Sequence, residues 1–153
     1  MASGPVIFAY KTRLNFFSAT NLLSTANTFK LALVSSAWTP AVSTDEVWAD
    51  VSANEIANGN GYTTGGGTLA NDALTQTSGV VKFTTDAFVW TATGGSIPAW
   101  RYGVIYASGT LNSKVNPIVG YFLGDSTPAD VPATTVGNTL TVTPNTSGLY
   151  TSP

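Results

Sequence analysis

The chain contains neither cysteine nor histidine. Without cysteine there are no disulfides, no thiolate nucleophile and no Cys-based metal site, and the redox compartment is left open. Without histidine the commonest general base is missing, together with the Ser-His-Asp and Cys-His arrangements and the usual ligand for zinc, copper or iron. Any catalysis would fall to carboxylates and a few lysines, and no cofactor is expected. Charge is also scarce: 9% of residues are Asp, Glu, Lys or Arg, against about 25% in an ordinary soluble domain. Six Lys and Arg against eight Asp and Glu leave a formal net charge of -2, too little positive charge to neutralise phosphates or anionic headgroups. Nucleic acid and membrane surfaces are therefore not expected as partners. The opening MASGPVIFAYKTR has only a brief apolar run with no basic residue before it, and no stretch of 18 apolar residues follows. Neither a signal peptide nor a membrane span is expected.

What the chain does have is hydroxyl polarity, with Ser and Thr at about a quarter of its 153 residues, and regular turn punctuation. Its length suits one β domain over residues 1–153, burying roughly 70% of the surface the unfolded chain exposes. GPVIFAY at 4–10 has strand composition, and 12–23 places Leu14, Phe17 and Leu22 at near-helical spacing behind Thr12, which predicts one short helix. TFKLALV at 28–34 alternates, with Phe29, Leu31 and Leu33 on a core face and Lys30, Ala32 and Val34 on a mixed one. Five glycines fall within 59–67, where Asn58-Gly59 and Asn60-Gly61 signal tight turns. ALTQT (73–77), VVKFTT (80–85) and AFVWTAT (87–93) then read as a meander of hairpins. WRYGVIYA (100–107) and PIVGYFLG (117–124) read as central strands covered on two faces, and NTLTVTP as a last strand before a Ser147-Gly148 turn. Eight to ten short strands predict an all-β sandwich, jelly roll or barrel-like antiparallel domain.

Three features are candidates for chemistry. Asp45, Glu46, Asp50 and Glu55 hold half of the chain's eight carboxylates. Paired carboxylates can hydrolyse glycosidic bonds without histidine, but closeness in sequence supplies no such geometry, and a solvated loop is the expectation; the spacing does not match a calcium loop. GNGYTTGGGTL at 59–69 lacks the Gly-Lys-Ser/Thr ending of a phosphate loop and no helix pattern follows it; its glycines are expected to serve sharp turns or close backbone approach. Of four tryptophans, Trp90 and Trp100 lie in alternating strands and are expected in the core. Trp38 and Trp48 flank a loop and, with Tyr62, are the candidate exposed interface, suited to protein or glycan contact.

FKLALVSSAWTP at 29–40, NEIANGNGYTTGGGTL at 54–69, FTTDAFVWTATGGSIPAWRYGVIYA at 83–107 and PIVGYFLG at 117–124 together resemble small all-β structural proteins encoded among the virion genes of tailed bacteriophages. The similarity covers about two thirds of the chain in the same order, with Trp100 where the family pattern has a small residue. It implies a virion component without enzymatic activity. The first expectation is a capsid decoration (cement) protein that binds the major capsid protein and self-associates as a dimer or trimer. The alternatives are a tail-associated or receptor-binding protein contacting a host glycan and, from another class, a carbohydrate-binding module or carboxylate glycosidase.

Arg101 alternates with Trp100, Tyr102 and Val104 in a segment apolar on both faces, which predicts a guanidinium at least half buried. Such a charge needs a partner, since leaving it unpaired costs several kcal/mol. Glu55 is the expected partner, with Asp86 as runner-up, in a pair anchoring the glycine-rich loop to the central sheet.

Overall fold

The computed structural model describes residues 6–7, 22–77, 80–127 and 129–152. Antiparallel β-strands are the dominant regular structure of the described residues, and two 3-10 turns, Trp48–Asp50 and Ser52–Asn54, are the helical content among them. The class is all-β and sandwich-like, as the turn spacing predicts. The helix expected over 12–23 lies outside the described residues except for Leu22 and Leu23, which are buried in a turn. Of the strand expected over 4–10, Val6 and Ile7 are described, and Ile7 bridges Tyr121.

In chain order the strands are β1 (Thr28–Val34), β2 (Gly67–Thr68), β3 (Ala73–Thr77), β4 (Val80–Thr84), β5 (Phe88–Thr91), β6 (Tyr102–Ser108), β7 (Thr110–Leu111), β8 (Lys114–Val115), β9 (Ile118–Leu123), β10 (Thr139–Val142) and β11 (Tyr150–Ser152). The central sheet has the order β2-β1-β6-β9. Its long pairing runs from Thr28↔Ser108 to Val34↔Tyr102. Between β6 and β9 the register shifts at Ile105/Tyr106, so that Val119 is the extra residue of a bulge. The opposing layer consists of β11-β4-β3 and the separate pair β10-β5. The expected meander stops after two strands, because β5 leaves β4 and pairs with β10.

Period-2 alternation sends Phe29, Leu31, Leu33, Ile105 and Phe122 to one face of the central sheet, where they pack with Phe83, Trp90, Leu140 and Val142 of the opposing layer. Phe29 meets Phe83 edge-on, with ring centroids 5.0 Å apart. The other face of β1 is not the mixed surface the sequence suggests: Ala32 and Val34 are fully buried, in a second cluster with Val104, Tyr106, Ile118, Trp38, Trp48 and Val51. This face is covered by the irregular segment 35–55. That segment is tied on by bridges from Val34 to Glu55 and Val47 to Pro117, and by the Trp48 N–H donating to the Asn116 carbonyl at 2.8 Å. β6 is thus buried along nearly its whole length, as expected of a strand covered on two sides.

Candidate functional site

Two neighbouring regions collect the residues singled out by sequence. In the cover segment, Trp48 lies flat against Tyr106, with centroids 5.0 Å apart and planes 9° apart. Trp38 meets Tyr102 and Tyr121 edge-on at 5.1 and 5.3 Å. Neither tryptophan is an exposed platform: Trp38 is 6% and Trp48 8% accessible. Both lie inward because the second face of the central sheet has no strand layer and needs large apolar groups to exclude water.

The carboxylates of this segment support its backbone. Asp45 Oδ2 accepts the Ala41 N–H at 2.8 Å and the Trp38 indole N–H at 3.2 Å. Asp50 Oδ2 accepts the N–H groups of Glu46 and Val47 at 2.8 and 2.9 Å, closing the first 3-10 turn. Glu46 pairs with Lys114 of β8 at 3.0 Å, across an open groove between residues 44–52 and the β7–β8 hairpin. An irregular chain has no ladder to satisfy its donors, so acidic side chains take that role. The acidic run is therefore not a free solvated loop. Among the described residues, no three His, Cys, Asp or Glu side chains converge on a point that could hold a metal.

The second region is a clasp under the glycine-rich loop. Gly59 to Tyr62 form a tight turn closed by reciprocal backbone bonds of 2.8 and 2.9 Å, with Asn60 and Gly61 both at positive φ. The turn delivers Tyr62 into the core at 2% accessibility. The Tyr62 hydroxyl donates to Glu55 Oε1 at 2.7 Å and accepts the Leu33 N–H of β1 at 3.0 Å. Glu55 Oε1 also accepts the Gly65 N–H at 2.7 Å, and the Tyr106 hydroxyl donates to the Gly65 carbonyl at 2.6 Å. Gly66 lies against β1 at φ +71°, where a Cβ would come within 2.0 Å of the Leu31 carbonyl oxygen; only glycine fits. Burial, reinforced by the Glu55 carboxylate, raises the Tyr62 phenol far above its ordinary value and pushes Tyr106 up to about 12. Both hydroxyls therefore stay protonated and act as fixed donors.

The Arg101–Glu55 pair does not form. Glu55 does anchor the glycine-rich loop, but through Tyr62 and Gly65. Arg101 Nε bonds Asp130 Oδ1 at 2.7 Å, the side chains 29% and 43% accessible, and Ser36 donates to Asp130 Oδ2 at 3.2 Å. Arg101 precedes β6, so the strand's alternation does not set its direction. The runner-up, Asp86, accepts from Asn71. Asp130 and Tyr106 are the residues the sequence reading missed. Asp130 lies in a proline-spaced loop without periodicity, whereas Tyr106 carried a usable signal in its strand position opposite the loop.

Comparison with protein-family models, curated proteins and solved structures finds no match to this chain.

Proposed function

We propose that the protein is a structural component of a tailed-bacteriophage virion, a decoration protein that binds the major capsid protein in many copies and strengthens the shell, with no catalytic step and no cofactor. The observation that supports this reading is where the family-like segments lie. Residues 29–40 form β1 and bring in Trp38; residues 54–69 form the Glu55–Tyr62–Gly65 clasp and β2; residues 83–107 supply β5 and β6; and 117–124 form β9. Similarity that falls on one connected scaffold is what kinship of fold produces. The burial of Trp38, Trp48 and Tyr62 weighs against the glycan-contacting alternative, which would use them as a stacking platform. The separate engagement of Asp45, Glu46, Asp50 and Glu55 weighs against a carboxylate glycosidase.

Electron microscopy of virions labelled with an antibody to this chain tests the proposal. Dense labelling over heads, and reduced heat resistance of particles lacking the chain, are the expected results. Sparse labelling at the tail would replace the head reading with the tail one, and unlabelled particles would overturn both.

A further inference from the structure

Two Asn-Gly sequences, 58–59 and 60–61, stand side by side, and they are the two places in the chain where asparagine precedes glycine. Glycine has no side chain to screen its backbone nitrogen, so such a pair can close on itself. The glycine N–H gives its proton to hydroxide, the nitrogen bonds the asparagine Cγ, and the Cγ–Nδ2 bond breaks to release ammonia. Water then opens the cyclic imide at either carbonyl, leaving aspartate or isoaspartate and one added negative charge. Nothing is oxidised or reduced. The reaction needs an uncovered glycine nitrogen with Cγ free to reach it, and the fold treats the two pairs differently.

At 58–59 both reacting groups are held. The Gly59 N–H donates to the Tyr62 carbonyl at 2.8 Å, and Asn58 Oδ1 accepts the Thr64 N–H at 3.0 Å. At 60–61 the nitrogen is uncovered: the Gly61 N–H has no acceptor among the described residues, and Asn60 and Gly61 are both exposed. They are the corner residues of the turn, at φ +57° and +93°, the arrangement that Asn-Gly favours in a two-residue turn. The Asn60 side chain is held through its leaving group. Its Nδ2 donates to the Ser96 carbonyl at 3.0 Å, over Gly95, where a Cβ would come within 2.5 Å of Oδ1. The main-chain carbonyl of Asn60 accepts the Thr93 N–H at 3.2 Å. Native packing slows both reactions relative to an open chain, but Asn58 has the further bond to break.

We propose that Asn60 is a deamidation site of the folded protein, while the turn's own hydrogen bonds keep Asn58 from reacting. The product bears on the clasp. A carboxylate at position 60 offers the Ser96 carbonyl no donor, and isoaspartate adds its side-chain methylene to the main chain of the turn that sets Tyr62 against Glu55 and Leu33. Conversion thus loosens the link between residues 93–96 and the Tyr62 clasp. The inference rests on the turn alone and is independent of the virion reading.

The test is peptide mapping by mass spectrometry of the full chain after incubation in mildly alkaline buffer, native and in urea at the same pH, with fragmentation to tell the two positions apart. In the native protein the gain of one mass unit is expected at Asn60 roughly fivefold faster than at Asn58, the factor that one further hydrogen bond is worth. In urea the two rates should converge. Equal rates or a faster Asn58 in the native protein, no conversion at Asn60 over a time in which the unfolded chain converts, or the same preference in urea would overturn the proposal. The converted fraction, separated by its added negative charge, should unfold at a lower urea concentration than the unconverted one. Equal midpoints would overturn the effect assigned to the clasp.

Discussion

The two faces of the central sheet are closed by different means. On one face a strand layer packs Phe83, Trp90, Leu140 and Val142 against β1 and β6, and ladder bonds satisfy its backbone. On the other the segment 35–55 does the same apolar job with Trp38, Trp48 and Val51 but has little ladder of its own. Its donors are met one at a time by Asp45 and Asp50, and Glu46 ties it to Lys114. Clustered acidic residues in a protein so poor in charge thus mark where regular pairing is missing. They are the supports of a cover made of irregular chain.

The largest expected effect asks whether that cover is core or ornament. Phe83→Ala and Trp48→Ala should each lower unfolding stability by about 3–5 kcal/mol in urea titrations, the usual cost of emptying a large aromatic site. A loss below about 1 kcal/mol for Trp48→Ala alone would show that only the strand-covered face carries the fold.

The clasp comes next. Glu55→Ala leaves the buried Tyr62 hydroxyl and Gly65 N–H without their acceptor, and a loss of about 1.5–3 kcal/mol is expected. Combined with Tyr62→Phe, the effects should fall short of additivity by about 1 kcal/mol, because both substitutions remove the same bond. Arg101→Ala should cost no more than about 1 kcal/mol, its pair with Asp130 being partly exposed, and should add to Glu55→Ala within about 0.5 kcal/mol. Coupling between Arg101 and Glu55 in this cycle would contradict the observed pairing.

The smallest effect concerns Asp72 at the turn before β3. Its Oδ1 is buried without a hydrogen-bond partner, and burial, followed by the charge of Asp86, raises its pKa while a bond from Thr85 opposes the rise. A carboxyl whose folded pKa is raised binds its proton more tightly in the native state. Its contribution therefore favours folding at low pH and is lost as pH rises through the folded value. Asp72→Asn should flatten that decline just above the ordinary aspartate range and, at neutral pH, raise stability by less than about 1 kcal/mol after solvent screening. An unchanged pH profile would show that Asp72 has its oxygen satisfied in solution.

Much of the scaffold is legible in the sequence, because β1, β6 and β9 carry their burial as alternation or as continuous apolar runs, and the Asn-Gly pair at 60–61 announces its turn. Partners are less legible than strands. Nothing local to 87–93 says that it pairs with 139–142 and not with β4, since a ladder partner is chosen by the whole fold. The inward direction of Trp38 and Trp48 is not legible, because irregular chain has no period from which to read a direction. The burial of Arg101 is legible but its partner is not, because Asp130 lies in a loop without periodicity and is brought to Arg101 only by the fold. Glu55 and Tyr62 are brought together through the Asn-Gly turns, a geometry that no fixed residue spacing encodes.

The pairing of β1 with β6 joins residues 28–34 to residues 102–108, and so determines the order in which the chain can assemble. Local hairpins such as β3–β4 and β7–β8 close on the order of microseconds. The sheet that gives both layers something to pack on must first close a loop holding most of the intervening chain, and such non-local pairing is what slows β-rich proteins into the millisecond-to-second range. During that interval Phe29, Leu31 and Leu33 have no sheet partner. The nascent protein therefore passes through a stage in which the core face of β1 is exposed, and its yield will depend on how dilute, or how well chaperoned, that stage is.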